Sequence, residues 1–234
     1  NEGTITVVDS TISNNTASIK GGGLLNEGTA TVTNSTFDGN TSFWGSAAAS
    51  FSTINLNHTT IVRNVTTASS TSYGALQRLS GTFNVRSSIV GDNLRTNGSA
   101  ARNCAGTVRL LDRNLLTSTA GCTTSGTEIV KPLLVGATAN NGGPTPTAAL
   151  LDGSPAIDVV NVATGKCVSG VTSAQRGTAR PFGAKCDLGA FEKAALELAV
   201  PVLSVDTSNY ADLPPGTVEV GATSVPTNLI AGEF

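Results

Sequence analysis

The sequence predicts an all-β chain: a right-handed parallel β-helix with a disulfide-stapled C-terminal cap and a β-strand tail. Three observations carry that expectation. First, Asn1-Glu2-Gly3-Thr4 recurs as Asn26-Glu27-Gly28-Thr29, and Val8-Asp9-Ser10-Thr11-Ile12 is answered by Thr33-Asn34-Ser35-Thr36-Phe37. Second, the unit returns at His58-Thr59-Thr60-Ile61-Val62-Arg63-Asn64 and at Arg86-Ser87-Ser88-Ile89-Val90-Gly91-Asp92. This puts an apolar marker at Ile12, Phe37, Ile61 and Ile89, at spacings of 25, 24 and 28 residues. A repeat of this length marks a solenoid, in which one unit buries its apolar face only against the next. Third, each copy alternates with period two rather than 3.6, so the unit is built from strands.

The elements follow in order. Thr4-Ile5-Thr6-Val7, Thr29-Ala30-Thr31-Val32, Thr53-Ile54-Asn55-Leu56 and Thr82-Phe83-Asn84-Val85 place an apolar residue at every second position. From Val32 to Phe37 the spacing becomes odd, so both point inward only if the backbone turns near Asn34-Ser35, where short polar side chains bond the backbone. Gly23-Leu24-Leu25, Ala48-Ala49 and Gly74-Ala75-Leu76 give each coil a third inward face. Asn15, Asn40 and Asn64 fall at one corner, continued by Asp92 or Asn93, and predict a stacked Asn ladder that tolerates a left-handed backbone. Repeats are expected over 1–130, a capping region over 131–193, and a strand-forming tail or the start of a further module over 194–234.

Composition excludes several functions. Only 13% of residues are charged and the net charge is −2, without the basic stripe that phosphate neutralisation needs, so no nucleic-acid partner is expected. No apolar run approaches the roughly 18 residues of a membrane-spanning segment. The chain opens with neither Met nor a signal peptide, as a mature or trimmed form would. Six Asn-X-Ser/Thr sequons, at Asn14, Asn34, Asn40, Asn57, Asn64 and Asn97, read as chance matches in a chain rich in Asn and Thr.

Cys104, Cys122, Cys167 and Cys186 allow three pairings. Zinc binding is disfavoured, since no close CxxC pair exists and the only histidine, His58, lies far away in sequence. Sequential disulfides, Cys104 with Cys122 and Cys167 with Cys186, would close short loops where the repeat has faded, and they imply an oxidising compartment.

The segment beyond the repeats carries four ordered motifs: Asn140-Asn141-Gly142-Gly143-Pro144-Thr145-Pro146-Thr147; Leu150-Leu151-Asp152-Gly153-Ser154-Pro155-Ala156-Ile157-Asp158; Gln175-Arg176-Gly177 with Arg180-Pro181; and Cys186-Asp187-Leu188-Gly189-Ala190-Phe191-Glu192. Together these resemble the C-terminal signature of bacterial surface β-helix proteins with a choice-of-anchor Q domain, over about residues 1–192. The resemblance implies export, a right-handed β-helix and a surface location, but no particular reaction. Read physically, the motifs form a cap over the end of the solenoid, with Ala156-Ile157, Leu188 and Phe191 on the last coil. Asp158, Arg176, Arg180 and Asp187 would fix it through an ion-pair network.

The chain departs from that signature after Glu192. Leu198–Val205 and Thr217–Ala222 are strand-like, joined through Leu213-Pro214-Pro215-Gly216. These strands are expected to begin another domain or to lie back along the β-helix; if the chain is natively this long, the open coil face left where Asn1 enters the repeat partway through a coil and the spare strands are complementary parts that would join copies head to tail into a fibre. An adhesin is the other reading. The alternative from a different class is a β-helix polysaccharide lyase or hydrolase, which needs carboxylates at matching positions of adjacent coils or an acidic metal site. The Asp9 column instead continues as Asn34, His58 and Arg86, and the Asp38 column holds Ser13, Val62 and Val90. His58 reads as a polar surface residue. Outward threonines, Thr4, Thr29, Thr53 and Thr82, make a weak array that β-propensity alone explains. The expectation is therefore a non-catalytic extracellular or cell-surface protein with no cofactor and no metal. Its expected partners are copies of itself or extracellular polymers.

Overall fold

Alternation in the repeat becomes a stack of parallel ladders. The computed structural model describes residues 1–100, 102–124, 126–163, 166–167 and 170–193; the expected strand tail over 194–234 lies outside the described residues. The chain is all-β and winds as a β-solenoid of about four turns.

Three main sheets line the coils. The first stacks Thr4–Val8, Thr29–Thr33, Thr53–Asn57, Thr82–Arg86, Val108–Leu111 and Cys122–Thr123. The second stacks Thr11–Ser13, Thr36–Asp38, Thr60–Val62, Ile89–Gly91, Leu115–Leu116 and Ile129–Val130. The third stacks Leu24–Asn26, Ala48–Ser50, Gly74–Arg78 and Arg102–Ala105. A short fourth sheet joins Thr41–Ser42, Val65–Thr66 and Leu94–Arg95. Every pairing in these four sheets is parallel.

Register in the first sheet follows the repeat residue for residue: Ile5, Ala30, Ile54, Phe83 and Val108 stand above one another, as do Val7, Val32, Leu56, Val85 and Leu110. These columns, with Phe37, Ile61, Val90, Leu116 and Leu76, make one continuous core. In the second sheet the fourth copy sits one residue away from its expected place: Ile61 pairs with Val90, and Ile89 with Thr60. The marker column is therefore Ile12, Phe37, Ile61, Val90 and Leu116.

That shift has a physical cause. Ile61-Val62, Ile89-Val90 and Leu115-Leu116 are consecutive apolar residues, as in strands buried on both faces. Val62, Ile89 and Leu115 point away from the coil interior into a second core with Leu133, Leu150, Ala156, Val160, Cys167, Cys186, Leu188 and Phe191. The described residues of 131–193 thus lie along the flank of the second sheet, where the sequence suggested a lid across the end of the coil. They leave Val130, on the inward column of the last coil, 54% exposed. The flanking segment runs back to the first coil, where Thr145 Oγ1 donates to the Asp9 carbonyl at 2.9 Å. It acts as a strap.

The corners are set by left-handed residues. Asp9, Asn34, His58, Ser87 and Asp112 have φ of 48°, 47°, 47°, 47° and 57° and turn each coil from the first sheet into the second. Asn14, Gly39, Arg63 and Asp92 do the same one strand later, with φ of 56°, 66°, 55° and 51°. The left-handed position is thus the residue before each ladder Asn. Asn and Asp tolerate this region through local hydrogen bonds, and Gly for want of a Cβ.

Candidate functional site

Polar residues meet in two places, the corner ladders and the strap. In the ladder Asn15 Nδ2 donates to Asn40 Oδ1 at 3.0 Å, Asn40 Nδ2 to Asn64 Oδ1 at 2.9 Å, and Asn64 Nδ2 to Asn93 Oδ1 at 3.1 Å. Asn93 Nδ2 then donates to Asn103 Oδ1 at 3.2 Å. Asn93 therefore continues the column, and Asp92 does not. The same oxygens accept the backbone N–H groups of Asn15, Asn40 and Asn64 at 3.0–3.1 Å. Each rung's polar groups are satisfied by the next rung, as a buried amide requires.

Other corners repeat the device with different atoms. Thr59 N donates to Ser88 Oγ at 3.0 Å and Ser88 N to Asn114 Oδ1 at 2.9 Å. Nearer the third sheet, Asn1 Nδ2 donates to Asn26 Oδ1 at 2.8 Å and Asn26 Nδ2 to Ser50 Oγ at 3.0 Å. Of the six sequons, Asn34, Asn40 and Asn64 are buried, Asn57 is half-buried, and Asn14 and Asn97 are exposed.

In the strap the four residues expected to form an ion-pair network, Asp158, Arg176, Arg180 and Asp187, do not pair with one another through their side-chain charges, and the buried ion pair there is made with Glu192. Arg180 is fully buried, and its carboxylate partner is Glu192, with Nη1 2.6 Å from Oε2. Arg180 also donates to the carbonyls of Asp187 and Gly189, at 2.8 and 2.6 Å. Glu192 further accepts the N–H groups of Phe182 and Asp187, both at 3.0 Å. The Asp187 carboxylate accepts the N–H groups of Asp158 and Lys193, at 2.8 and 2.7 Å. Asp158 accepts from Lys185 N at 3.1 Å. Arg176 donates to the carbonyls of Asn141 and Glu192 at 3.1 and 3.0 Å and lies 4.2 Å from the Phe191 ring centre.

The electrostatics fit a structural lock. Burial pushes the Arg180 guanidinium down from its ordinary range, and Glu192, Asp187 and Asp9 oppose that shift. Burial raises Asp187 to about 6, against the two N–H donors that favour its charged form. Asp9, at the left-handed corner beneath the strap, is also raised by burial. Burial and a Glu192 contact at 2.6 Å leave Arg180 enclosed, with no exposed atom for substrate chemistry.

The columns weighed for hydrolase chemistry bring no two carboxylates together on adjacent coils. By backbone position, Asp9 is followed by Asn34, His58 and Ser87, and Asp38 stands between Ser13 and Val62, with Gly91 beyond. His58 is 1% exposed, so the expectation of a surface residue is corrected: the strap and the neighbouring coils cover this corner. Asp38 is held by Arg63 in a bidentate pair, 2.9 and 2.7 Å, and Arg63 also donates to the Gly136 carbonyl at 3.2 Å. Among the described residues no group of three His, Cys, Asp or Glu stands close enough to hold a metal ion.

Both sequential disulfides are present, Cys104–Cys122 and Cys167–Cys186. The first joins adjacent coils, and the second lies within the strap. No helix among the described residues is long and apolar enough to cross a membrane.

Sequence reasoning missed Gln175 and Glu192, which sit inside the quoted motifs. Gln175 is 1% exposed, accepts from Thr36 Oγ1 at 2.7 Å, and donates to Thr11 Oγ1 at 2.8 Å and Thr145 Oγ1 at 3.0 Å. Its position in a conspicuous Gln-Arg-Gly turn was the available signal. No protein family, curated protein or solved structure matches this chain, so the likeness to choice-of-anchor Q proteins rests on the four motifs alone.

Proposed function

We propose that the chain is a non-catalytic element of the bacterial cell surface, exported, and serving as a structural or adhesive rod whose partners are extracellular polymers and copies of itself. The observation that carries this reading is where the polar side chains spend their hydrogen bonds. The ladder amides of Asn15, Asn40, Asn64 and Asn93 are committed to one another along the axis, and the buried charges Arg180 and Glu192 to closing the strap. Such a distribution favours stiffness over turnover. Two disulfides support an oxidising, extracellular setting, and the four motifs of the strap support a bacterial surface origin.

Three measurements test the proposal. Surface labelling and fractionation of the source cells should place the protein outside the membrane; recovery in the cytoplasm overturns it. Incubation with pectin or alginate, followed by ultraviolet absorbance and reducing-end assays, should show no turnover; clear product formation transfers the chain to the lyase or hydrolase class. Electron microscopy of the purified chain, with and without residues 195–234, should show filaments only for the longer form, and isolated particles in both samples remove self-assembly.

A further inference from the structure

The chain is poor in aromatic residues, with one Trp, two Tyr and seven Phe, yet four of them converge outside both cores. The Phe43 and Tyr73 ring centres are 5.7 Å apart and those of Trp44 and Tyr73 5.8 Å apart. Lys20 Nζ lies 4.2 Å from the Phe51 ring centre and 5.8 Å from that of Trp44. Ile19 and Phe43 are 58% and 42% exposed, and Trp44, Phe51 and Tyr73 are half-buried. Three successive coils contribute to this strip, which lies in the turns around the third sheet.

Lys20 gives the strip its chemistry. Lys20 belongs to none of the ion pairs Arg63–Asp38, Arg86–Asp112, Arg180–Glu192 and Lys193–Asp152, and is held over aromatic faces without a carboxylate among the described residues. A cation in that setting is partly desolvated and attracts an anion. The strand edges beside it are occupied: Trp44 N donates to the Ile19 carbonyl at 3.1 Å and Gly45 N to the Gly74 carbonyl at 3.0 Å. The second coil, which carries three of the four rings, therefore offers a peptide no free edge for β-addition. The complementary ligand offers flat apolar ring faces for the aromatic side chains and a carboxylate beside them.

We infer that Phe43, Trp44, Tyr73, Phe51 and Lys20 form a docking strip for an acidic polysaccharide, its pyranose faces stacked on the rings and a uronate carboxylate paired with Lys20. This names a partner class within the adhesive reading above and rests on it. The stacking supplies affinity for any such ring, and Lys20 supplies the preference for acid.

Trp44 is the only tryptophan, so fluorescence excited selectively in tryptophan reads this strip alone. Titration with sodium polygalacturonate should shift Trp44 emission saturably, and dextran should require a concentration about tenfold higher. Lys20→Gln should bring the two polymers together, and Tyr73→Ala should weaken both with unchanged circular dichroism. No saturable change with polygalacturonate overturns the inference. So does an equal response to poly-glutamate, which would assign the strip to charge alone, or a change with protein concentration in the absence of sugar, which would assign it to a second copy. If polygalacturonate binds and is cleaved, the non-catalytic reading fails and the strip stands. If it does not bind while the protein still fractionates at the surface, only the strip fails.

Discussion

Gln175 donates its side-chain amide to the hydroxyl of Thr11, 164 residues earlier in the chain, at 2.8 Å, so the strap is tied to the first coil. The same side chain accepts from Thr36 on the second coil at 2.7 Å. One buried amide thus bridges two rungs and the strap. Gln175→Ala leaves the Thr36 hydroxyl without its acceptor in a site closed to water. The expected loss is about 1–3 kcal/mol, read as a lower urea midpoint at constant m-value. A midpoint equal to that of the parent protein would mean that the bridge is replaced by water at no cost.

The Asn ladder predicts a gradient along its length. Asn64 is fully buried, accepts from Asn40, and donates to the carbonyls of Phe37 and Val62 at 3.1 and 2.9 Å. Asn15 is exposed and donates only at the ladder's outer end. Asn64→Ala should cost about 1–3 kcal/mol or more, and Asn15→Ala under about 1 kcal/mol. Equal costs in thermal unfolding would show that the ladder does not act through burial.

Much of this architecture was legible because the physics that builds it is periodic. Thr4–Val8 and Thr29–Thr33 stack as their alternation implied, and Asn15, Asn40 and Asn64 share a column because one corner recurs in each coil. The fourth copy misleads by one residue, since Ile89-Val90 is apolar twice over and only the strap beyond it tells which side is inward. Lys20 and Trp44 pair at the repeat spacing of 24 residues, but the repeat was traced through its inward apolar positions, and these outward side chains share no residue type that would mark a column. Gln175 and Glu192 act across 139–164 and 5–12 residues of chain respectively, and local pattern reports neither.

Gly189 is the contact on which docking of the strap turns. Its φ is +82°, and a Cβ there would meet Thr60 Oγ1 at 2.6 Å and the Ile89 side chain at 2.8 Å. The Gly189 N–H donates to the Ser87 carbonyl at 2.9 Å, and the next N–H, of Ala190, to Thr60 Oγ1 at 3.0 Å. Gly189→Ala should therefore lift the strap from the second sheet at a cost of about 1–3 kcal/mol while the coils persist. Limited proteolysis with mass spectrometry should find new cleavages within 131–193 and none within 29–116. Parent-like protease resistance would show that the strap tolerates the added methyl group.

The strap also makes stability depend on pH. Asp187 ordinarily ionises near 3.8, and in the fold burial raises it to about 6. Between those values the folded protein holds a proton that the unfolded chain has released. This contribution is therefore fully present below 3.8 and is lost as pH rises through about 6. Asp9, raised by the same cause, adds with the same sign; Asp152, lowered by Lys193, opposes it but is an exposed pair and carries little weight. The Asp187 carboxyl carbon should titrate by NMR with a midpoint near 6. The urea midpoint of the parent should fall more steeply from pH 4 to pH 7 than that of Asp187→Asn. The variant's overall level will drop, because an amide keeps one acceptor oxygen for the two N–H donors of Asp158 and Lys193. The slope is thus the diagnostic quantity, and identical slopes would mean that Asp187 is charged throughout and that its two N–H donors outweigh burial.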